Sequence, residues 1–207
     1  MRYKEEDCLG NPTILVSTLR VNYYLQRFLK QTKQPPGKPV TMVGITIRQM
    51  EPCNWEKVKI IYEAGIATGV ATFEVSAPGW EQWDKGHLSF ARLIAVNEET
   101  VLGWAALSAV SGRCVYGGVA EVSVYIADDH RGKGIGKALL QALITESEAN
   151  GIWTLQAGIF TDNTASVKLH EGVGFRLIGY REKIGKLKGQ WKDNFILERR
   201  SKIVGID

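Results

Sequence analysis

A mixed α/β fold of the α+β kind, a mostly antiparallel twisted sheet flanked by helices, is predicted by three observations. Period-two, β-branched runs recur along the chain. Three of them (91–97, 101–110 and 118–126) follow one another closely enough to form an antiparallel meander. Segments with apolar residues at helical spacing separate the others. At 207 residues and 44% hydrophobic content, the chain can bury one sizeable core but is short for two domains.

In order, VGITIRQ (43–49) alternates and reads as a first strand. After Glu51-Pro52 a helix with Val58, Ile61, Tyr62 and Ile66 on one face runs to about Thr68. The loop ATFEVSAPG follows, then a short aromatic helix near Trp80 to Asp84. ARLIAVN (91–97) and VLGWAALSAV (101–110) are strands joined by a turn at Glu98-Glu99, and GVAEVSVYI (118–126) is the third of the meander. The next helix puts Ile135, Ala138, Leu139, Ala142 and Leu143 on one stripe and stops at Asn150-Gly151. WTLQAGIF (153–160) is a strand and Asn163 to Glu171 a short helix. FRLIGYREKI (175–184) and WKDNFILERR (191–200) are the last strands, turning at Lys188-Gly189.

Residues 1–41 stand apart. They hold seven of the 26 Lys and Arg against three of the 22 Asp and Glu, so 42–207 is formally neutral despite a net charge of +4. A basic stripe for nucleic acid is therefore not expected. LRVNYYLQRFLKQ (19–31) can form an amphipathic helix, with QPPGKP (34–39) as a breaker. The segment reads either as a packing appendage or as an extension from a misassigned start, with Met42 opening the main domain (42–207). MRYKEEDC does not suit a secretory leader, and no run approaches about 18 consecutive apolar residues, so no membrane association is expected. Cys8, Cys53 and Cys114 form no C-x-x-C pair, which indicates neither a disulfide framework nor a zinc site and suits a reducing cytoplasm. No metal site is expected.

The run YIADDHRGKGIGKALL (125–140) carries the chemistry. A strand ends, Arg131-Gly132-Lys133-Gly134-Ile135-Gly136 follows, and a helix begins with Lys137 in its first turn. Glycines let backbone N–H groups converge, the helix start offers unpaired amides and a positive dipole end, and Arg131, Lys133 and Lys137 add charge. This is a cradle for a pyrophosphate. A P-loop would need Lys-Ser or Lys-Thr after its second glycine, and a dinucleotide fold a different glycine spacing. The plain alternative is a basic glycine-rich turn before an ordinary helix. Glu121 sits mid-strand on the face of Val119, Ser123 and Tyr125, opposite Ala120, Val122, Val124 and Ile126. Apolar surroundings would raise such a carboxyl's pKa and suit it to general-base work. Alternation alone leaves open a solvated Glu or an ion pair. Asn163, Ser166 and His170 form a polar stripe at i, i+3, i+7; Asn163 also reads as an N-cap, and His170 as a helix residue bonded to a carbonyl.

Arg-x-x-Gly-x-Gly closely resembles the acyl-coenzyme A loop of the GNAT superfamily of N-acetyltransferases, and the element order over about 43–200 is similar. ATFE (71–74), RCVYGGVAEVSVYI (113–126), NTASVKLHEGVGF (163–175) and GKLKGQWKD (185–193) resemble the phosphinothricin and methionine sulfoximine acetyltransferases. The resemblance implies a GNAT fold with acetyl-CoA as co-substrate at a splayed central strand pair. It implies acetyl transfer to the α-amine of a small amino acid such as phosphinothricin, methionine sulfoximine or methionine sulfone, with detoxification as the outcome. Polyamines, aminoglycosides or protein amines are alternative acceptors, and a coenzyme A-binding module without turnover is the alternative of another class.

By the same resemblance, Glu121 would be the base and His170 a donor to the departing thiolate. Val124, Tyr125 and Ile126 would meet pantetheine through main-chain groups, the amides of Gly132 to Lys137 would hold the pyrophosphate, and Asn163 and Ser166 would lie beside the coenzyme. Arg113 would grip the amino-acid carboxylate, or be simply solvated, with Tyr116 near it and Phe73 and Glu74 on a loop closing over the substrate. A homodimer is expected by analogy. The last motif departs from the family at Leu187, where an aromatic is common, and at Asn194, where an apolar residue is usual.

Overall fold

Alternating strands fold here because helices can cover both faces of one sheet. The computed structural model describes residues 40–42 and 44–206; the proposed segment 1–41 falls outside them except for its last two residues. The elements are β1 (Val40–Met42), β2 (Ile45–Gln49), α1 (Trp55–Ala67), α2 (Trp80–Gly86), β3 (Leu93–Asn97), β4 (Thr100–Ala109) and β5 (Val119–Ile126). Then come α3 (Ile135–Ala149), β6 (Thr154–Phe160), α4 (Thr164–Glu171), β7 (Arg176–Leu187) and β8 (Gln190–Arg200). The strands form one eight-stranded sheet in the order β1-β2-β3-β4-β5-β6-β8-β7. The expected α+β architecture, meander and element order are all present.

The start of the sheet differs from the sequence reading. Instead of one strand over 43–49, β1 and β2 pair antiparallel, with Val40 opposite Ile47 and Met42 opposite Ile45. Gly44, at φ +74°, lies in the connection. A residue at positive φ favours a turn over an extended run, so the sheet begins inside the segment that composition sets apart.

Two hydrophobic clusters occupy the two faces. On one, the α3 stripe Ile135, Ala138, Leu139, Ala142 and Leu143 packs with Leu93, Ala95, Ala105, Leu107, Ala120 and Val122. Burying each of the larger aliphatic side chains contributes about 1.5–3 kcal/mol. On the other face Trp55, Val58, Ile61 and Trp83 pack with Ile94, Val96, Trp104 and Ala106. Coverage from both sides explains why seven consecutive residues of β4 are buried. Arg92 fixes the end of α2 by pairing with Asp84 and donating to Leu88 O (2.6 Å), Asp84 O (2.9 Å) and His87 O (3.0 Å).

The position of α1 is set by a missing side chain. A Cβ on Gly65 would lie 2.6 Å from the Tyr125 ring, so this glycine lets α1 approach β5 at the point where the site begins. Tyr125 in turn stacks on Trp104 and meets Tyr62 edge-on, at centroid distances of 4.8 Å each.

Candidate active site

β5 and β6 pair in parallel, but only from Val119↔Thr154 to Glu121↔Gln156. Both strands continue, β5 to Ile126 and β6 to Phe160, without pairing further. Beyond Glu121 they splay, and the β5 main chain that faces β6 has no sheet partner on that side. The opening is a cleft of about 230 Å³ whose walls include Glu121, Val124 and Tyr125 of β5, Gly158 and Phe160 of β6, and Asn194 of β8. Phe73, Asn163, Ser166 and His170 also line it.

At the far end of β5 the chain turns through Asp128–His130 into the glycine-rich bend. Gly132 and Gly134 adopt φ +74° and +82°, conformations that other residues rarely take. A Cβ on Gly132 would meet nothing within 4 Å, so the bend is open to solvent. Lys133 and Lys137 are exposed, and Arg131 pairs with Asp128 at 2.6 Å. The first amides of α3 have no partner within the helix. Ile135 turns its side chain into the core and can offer a ligand only its N–H. Gly136 serves a packing purpose as well: a Cβ there would lie 3.1 Å from Leu169 of α4.

Glu121 departs from the environment expected of it. Its side chain is exposed at the cleft rather than enclosed by apolar groups, because the strands part directly after it and leave the carboxylate at the opening.

His170 is 2% exposed. Its Nδ1 lies 2.8 Å from Ser166 O and 3.4 Å from Ser166 Oγ. A carbonyl only accepts, so Nδ1 carries the hydrogen, and the neutral ring presents a lone pair at Nε2. That Nε2 is buried without a partner. Burial pushes the imidazole pKa down, against a smaller upward pull from the Ser166 carbonyl. With the hydrogen on Nδ1, Nε2 of the neutral ring is an acceptor, and a donor role there requires the imidazolium form.

This depressed pKa has a consequence for stability. The unfolded imidazole titrates near about 6.5, so the contribution of neutral His170 is whole above that pH and is lost as pH falls toward the lowered folded value. Denaturant midpoints taken from pH 7.5 to 5 should fall in the native protein and fall less in His170→Gln. Equal slopes would show that the imidazole is not held neutral.

Asn163 performs the N-cap function, accepting from Ser166 N at 3.1 Å, and its Nδ2 donates to Val70 O at 3.3 Å. It thereby ties the loop after α1 to α4. On that loop Phe73 packs edge-on to Phe160 at 4.6 Å, and a Cβ on Gly185 would reach its ring at 2.8 Å, so Phe73 closes one end of the cleft. Glu74 is exposed and lies outside the lining, though after the larger effect of burial its charge raises the Tyr62 phenol pKa.

The structure does not bring Arg113 and Tyr116 into the cleft. Arg113 sits over the Tyr116 ring at 5.9 Å in the exposed loop before β5, and no Lys or Arg is among the cleft-lining residues. Asn194, which sequence reasoning noted only as a departure from the family, is at the wall. Its signal was a polar residue at an inward position of an alternating strand. Of the described cysteines, Cys53 is an exposed free thiol. Among the described residues no group of three or more His, Cys, Asp or Glu could hold a metal, and no helix is long and apolar enough to cross a membrane.

Comparison with known proteins adds the family context. The model of the acetyltransferase (GNAT) family matches residues 54–175. The chain is 30% identical over 175 residues to the phosphinothricin N-acetyltransferase of Alcaligenes faecalis, covering 80% of this chain and 87% of that protein. It is 45% identical over 76 residues to the L-methionine sulfoximine/L-methionine sulfone acetyltransferase of Pseudomonas paraeruginosa, a match spanning 37% of this chain and 44% of that protein. Among solved structures, a GNAT superfamily phosphinothricin acetyltransferase from Sinorhizobium meliloti in complex with acetyl-CoA superposes with a TM-score of 0.72. It is 28% identical, and the match covers 79% of this chain and 92% of that one.

Proposed function

The chain belongs to the GNAT acetyltransferase family, and from that premise we propose that it transfers acetyl from acetyl-CoA to the α-amine of a small amino acid of the phosphinothricin, methionine sulfoximine or methionine sulfone kind. The observation that carries this reading is the parting of β5 and β6 directly after Glu121, which sets a carboxylate at the head of an open strand edge. The residues present fit an acyl-coenzyme A. The main chain of Val124 to Ile126, paired with β4 but without a partner on the β6 side, suits pantetheine by strand addition, and the open bend from Arg131 through Gly134 to Lys137 suits the diphosphate.

Acetyl-CoA supplies an acetyl thioester: the amine nitrogen bonds to the acetyl carbon, the carbon–sulfur bond breaks, the amine gives up one proton, and sulfur leaves as a thiolate that takes its proton from solvent. Glu121 is the group proposed to take that proton, since its carboxylate faces the cleft without a partner to neutralise it. His170, neutral and with its Nε2 lone pair in the cleft wall, is proposed to accept a hydrogen bond there rather than to protonate sulfur. Asn163 and Ser166 hold the loop and the imidazole that shape this wall. Acetylation removes the positive charge of the α-amine, and this is how it would disarm a toxic amino-acid analogue.

A thiol-release assay over a panel of amines tests the assignment. The panel pairs L-methionine sulfoximine, L-methionine sulfone and phosphinothricin with polyamines and with decarboxylated counterparts of the amino acids. Acceptor-dependent thiol with the amino acids, falling at least about tenfold on decarboxylation, is the expected result. Equal rates with and without the carboxylate would overturn the amino-acid assignment, which matters because no basic side chain lines the cleft. No acceptor-dependent thiol from any amine would overturn the enzyme reading.

A further inference from the structure

β8 extends one face of the cleft just past the residues that line it. Residues two apart on a strand share a face, so Lys192 lies on the side of Asn194, which stands in the cleft wall. Across the hairpin Lys192 pairs with Gly185, and residues directly opposite each other also share a face. A Cβ on Gly185 would meet the Phe73 ring at 2.8 Å. Lys192 therefore belongs to the end of the cleft that Phe73 closes. Its Nζ stands 5.8 Å from the centre of the Phe160 ring, which lines the cleft, and its side chain is only 17% exposed.

Asp162, itself largely exposed, accepts from this ammonium at 3.3 Å. Among the described residues the ammonium makes no other hydrogen bond, so two of its three hydrogens are uncommitted. An ion pair with so exposed a carboxylate holds weakly and leaves the ammonium free to take a second anion. The cleft is thus polarised along its length. Glu121 Oε1 comes within 3.4 Å of the Cβ that Gly158 lacks, and Phe160 is two residues, about 7 Å, further along β6. An α-amine held at Glu121 keeps its α-carboxylate, one carbon away, near the same end. Only the tip of a side chain several bonds long extends to Phe160 and the ammonium beside it.

We propose that Lys192 selects acceptor amino acids whose side chain ends in an anionic group, a phosphinate or a carboxylate, over those with a neutral end. Its flexible stem lets the ammonium lean across the Phe160 ring, and the low exposure of the site strengthens a charge-assisted hydrogen bond made there. Phosphinothricin and methionine sulfone isolate this feature almost by charge alone. Each side chain ends in a methyl-bearing tetrahedral centre with two oxygens, but the phosphinate is charged and the sulfone is neutral. This assignment rests on the acetyltransferase reading and narrows the class of acceptor.

The test uses the full chain and compares phosphinothricin with L-methionine sulfone by thiol release. Native protein should favour phosphinothricin by at least about tenfold in kcat/KM. In Lys192→Met, which keeps the apolar stem, kcat/KM for phosphinothricin should fall about tenfold, chiefly through KM, while that for methionine sulfone changes less than about twofold. Lys192→Arg keeps the charge and should keep most of the preference. Added salt should narrow the preference in native protein and leave Lys192→Met unaffected. Equal losses on both acceptors in Lys192→Met would overturn the proposal, because the lysine would then serve the α-carboxylate they share or the shape of the cleft. An undiminished preference in that variant would overturn it as well. Should Lys192→Met fail to melt cooperatively, the native protein decides, and a preference indifferent to salt overturns the assignment. Native turnover on both acceptors without preference removes the role of Lys192 alone, whereas absence of native turnover on every amine removes the acetyltransferase reading and this assignment with it.

Discussion

Glu121→Gln should lower kcat/KM for the acceptor amine by about 10²- to 10⁴-fold, the range that a positioned general base contributes. The substitution keeps the shape of the side chain, its place at the exposed head of the cleft and the pairing of Glu121 with Gln156 through the main chain. Coenzyme A binding, measured by calorimetry, should therefore change less than about twofold. Without a proton acceptor, turnover in the variant depends on amine that is already neutral in solution. Its kcat/KM should climb about tenfold per pH unit until the amine's own pKa is reached. A Gln variant with native turnover would remove Glu121 as the base. A variant that loses coenzyme binding in parallel with turnover would make the residue an element of the cleft's shape instead.

The legibility of this chain follows the range of the interactions involved. Element order was readable because each signal is local: the α3 stripe from Ile135 to Leu143 is buried as its spacing requires, and the Lys188-Gly189 turn joins β7 and β8 with both residues at positive φ. The two faces of β5 were readable as well, with Val122 in the cluster under α3 and Tyr125 packed against the cluster under α1. Of the cleft, the sequence reading named Glu121, Asn163, Ser166 and His170, which line it, but not the wall made by β6 and β8. Gly158, Phe160 and Asn194 reach it through the register of β6 against β8, in which Phe160 stands opposite Asn194, and no local pattern specifies that pairing. The exposure of Glu121 depends on where β5 and β6 stop pairing, again a property of two strands. Arg113 was chosen for its chemistry, but its loop carries it to the Tyr116 ring instead.

The second large effect is expected at the bend that precedes α3. Gly134 has φ 82° and ψ −5° immediately before Ile135, a left-handed conformation that costs an L-residue about 1–2 kcal/mol and is especially unfavourable for a β-branched one. In Gly134→Val the bend should relax out of this conformation and turn the first α3 amides away from their common point. The Kd for coenzyme A should rise about 10- to 100-fold. Pantetheine has no diphosphate, and its Kd should be unchanged, because the strand edge from Val124 to Ile126 is untouched. Equal losses for both ligands would place the diphosphate elsewhere and leave the bend as a structural turn. Gly136→Ala provides the contrast, since its Cβ would press on Leu169 at 3.1 Å. Any loss there comes from spreading α3 and α4, and should be read as lower melting temperature with little discrimination between the two ligands. Only a conformational requirement at Gly134 that couples to the diphosphate produces a loss confined to the ligand that carries one.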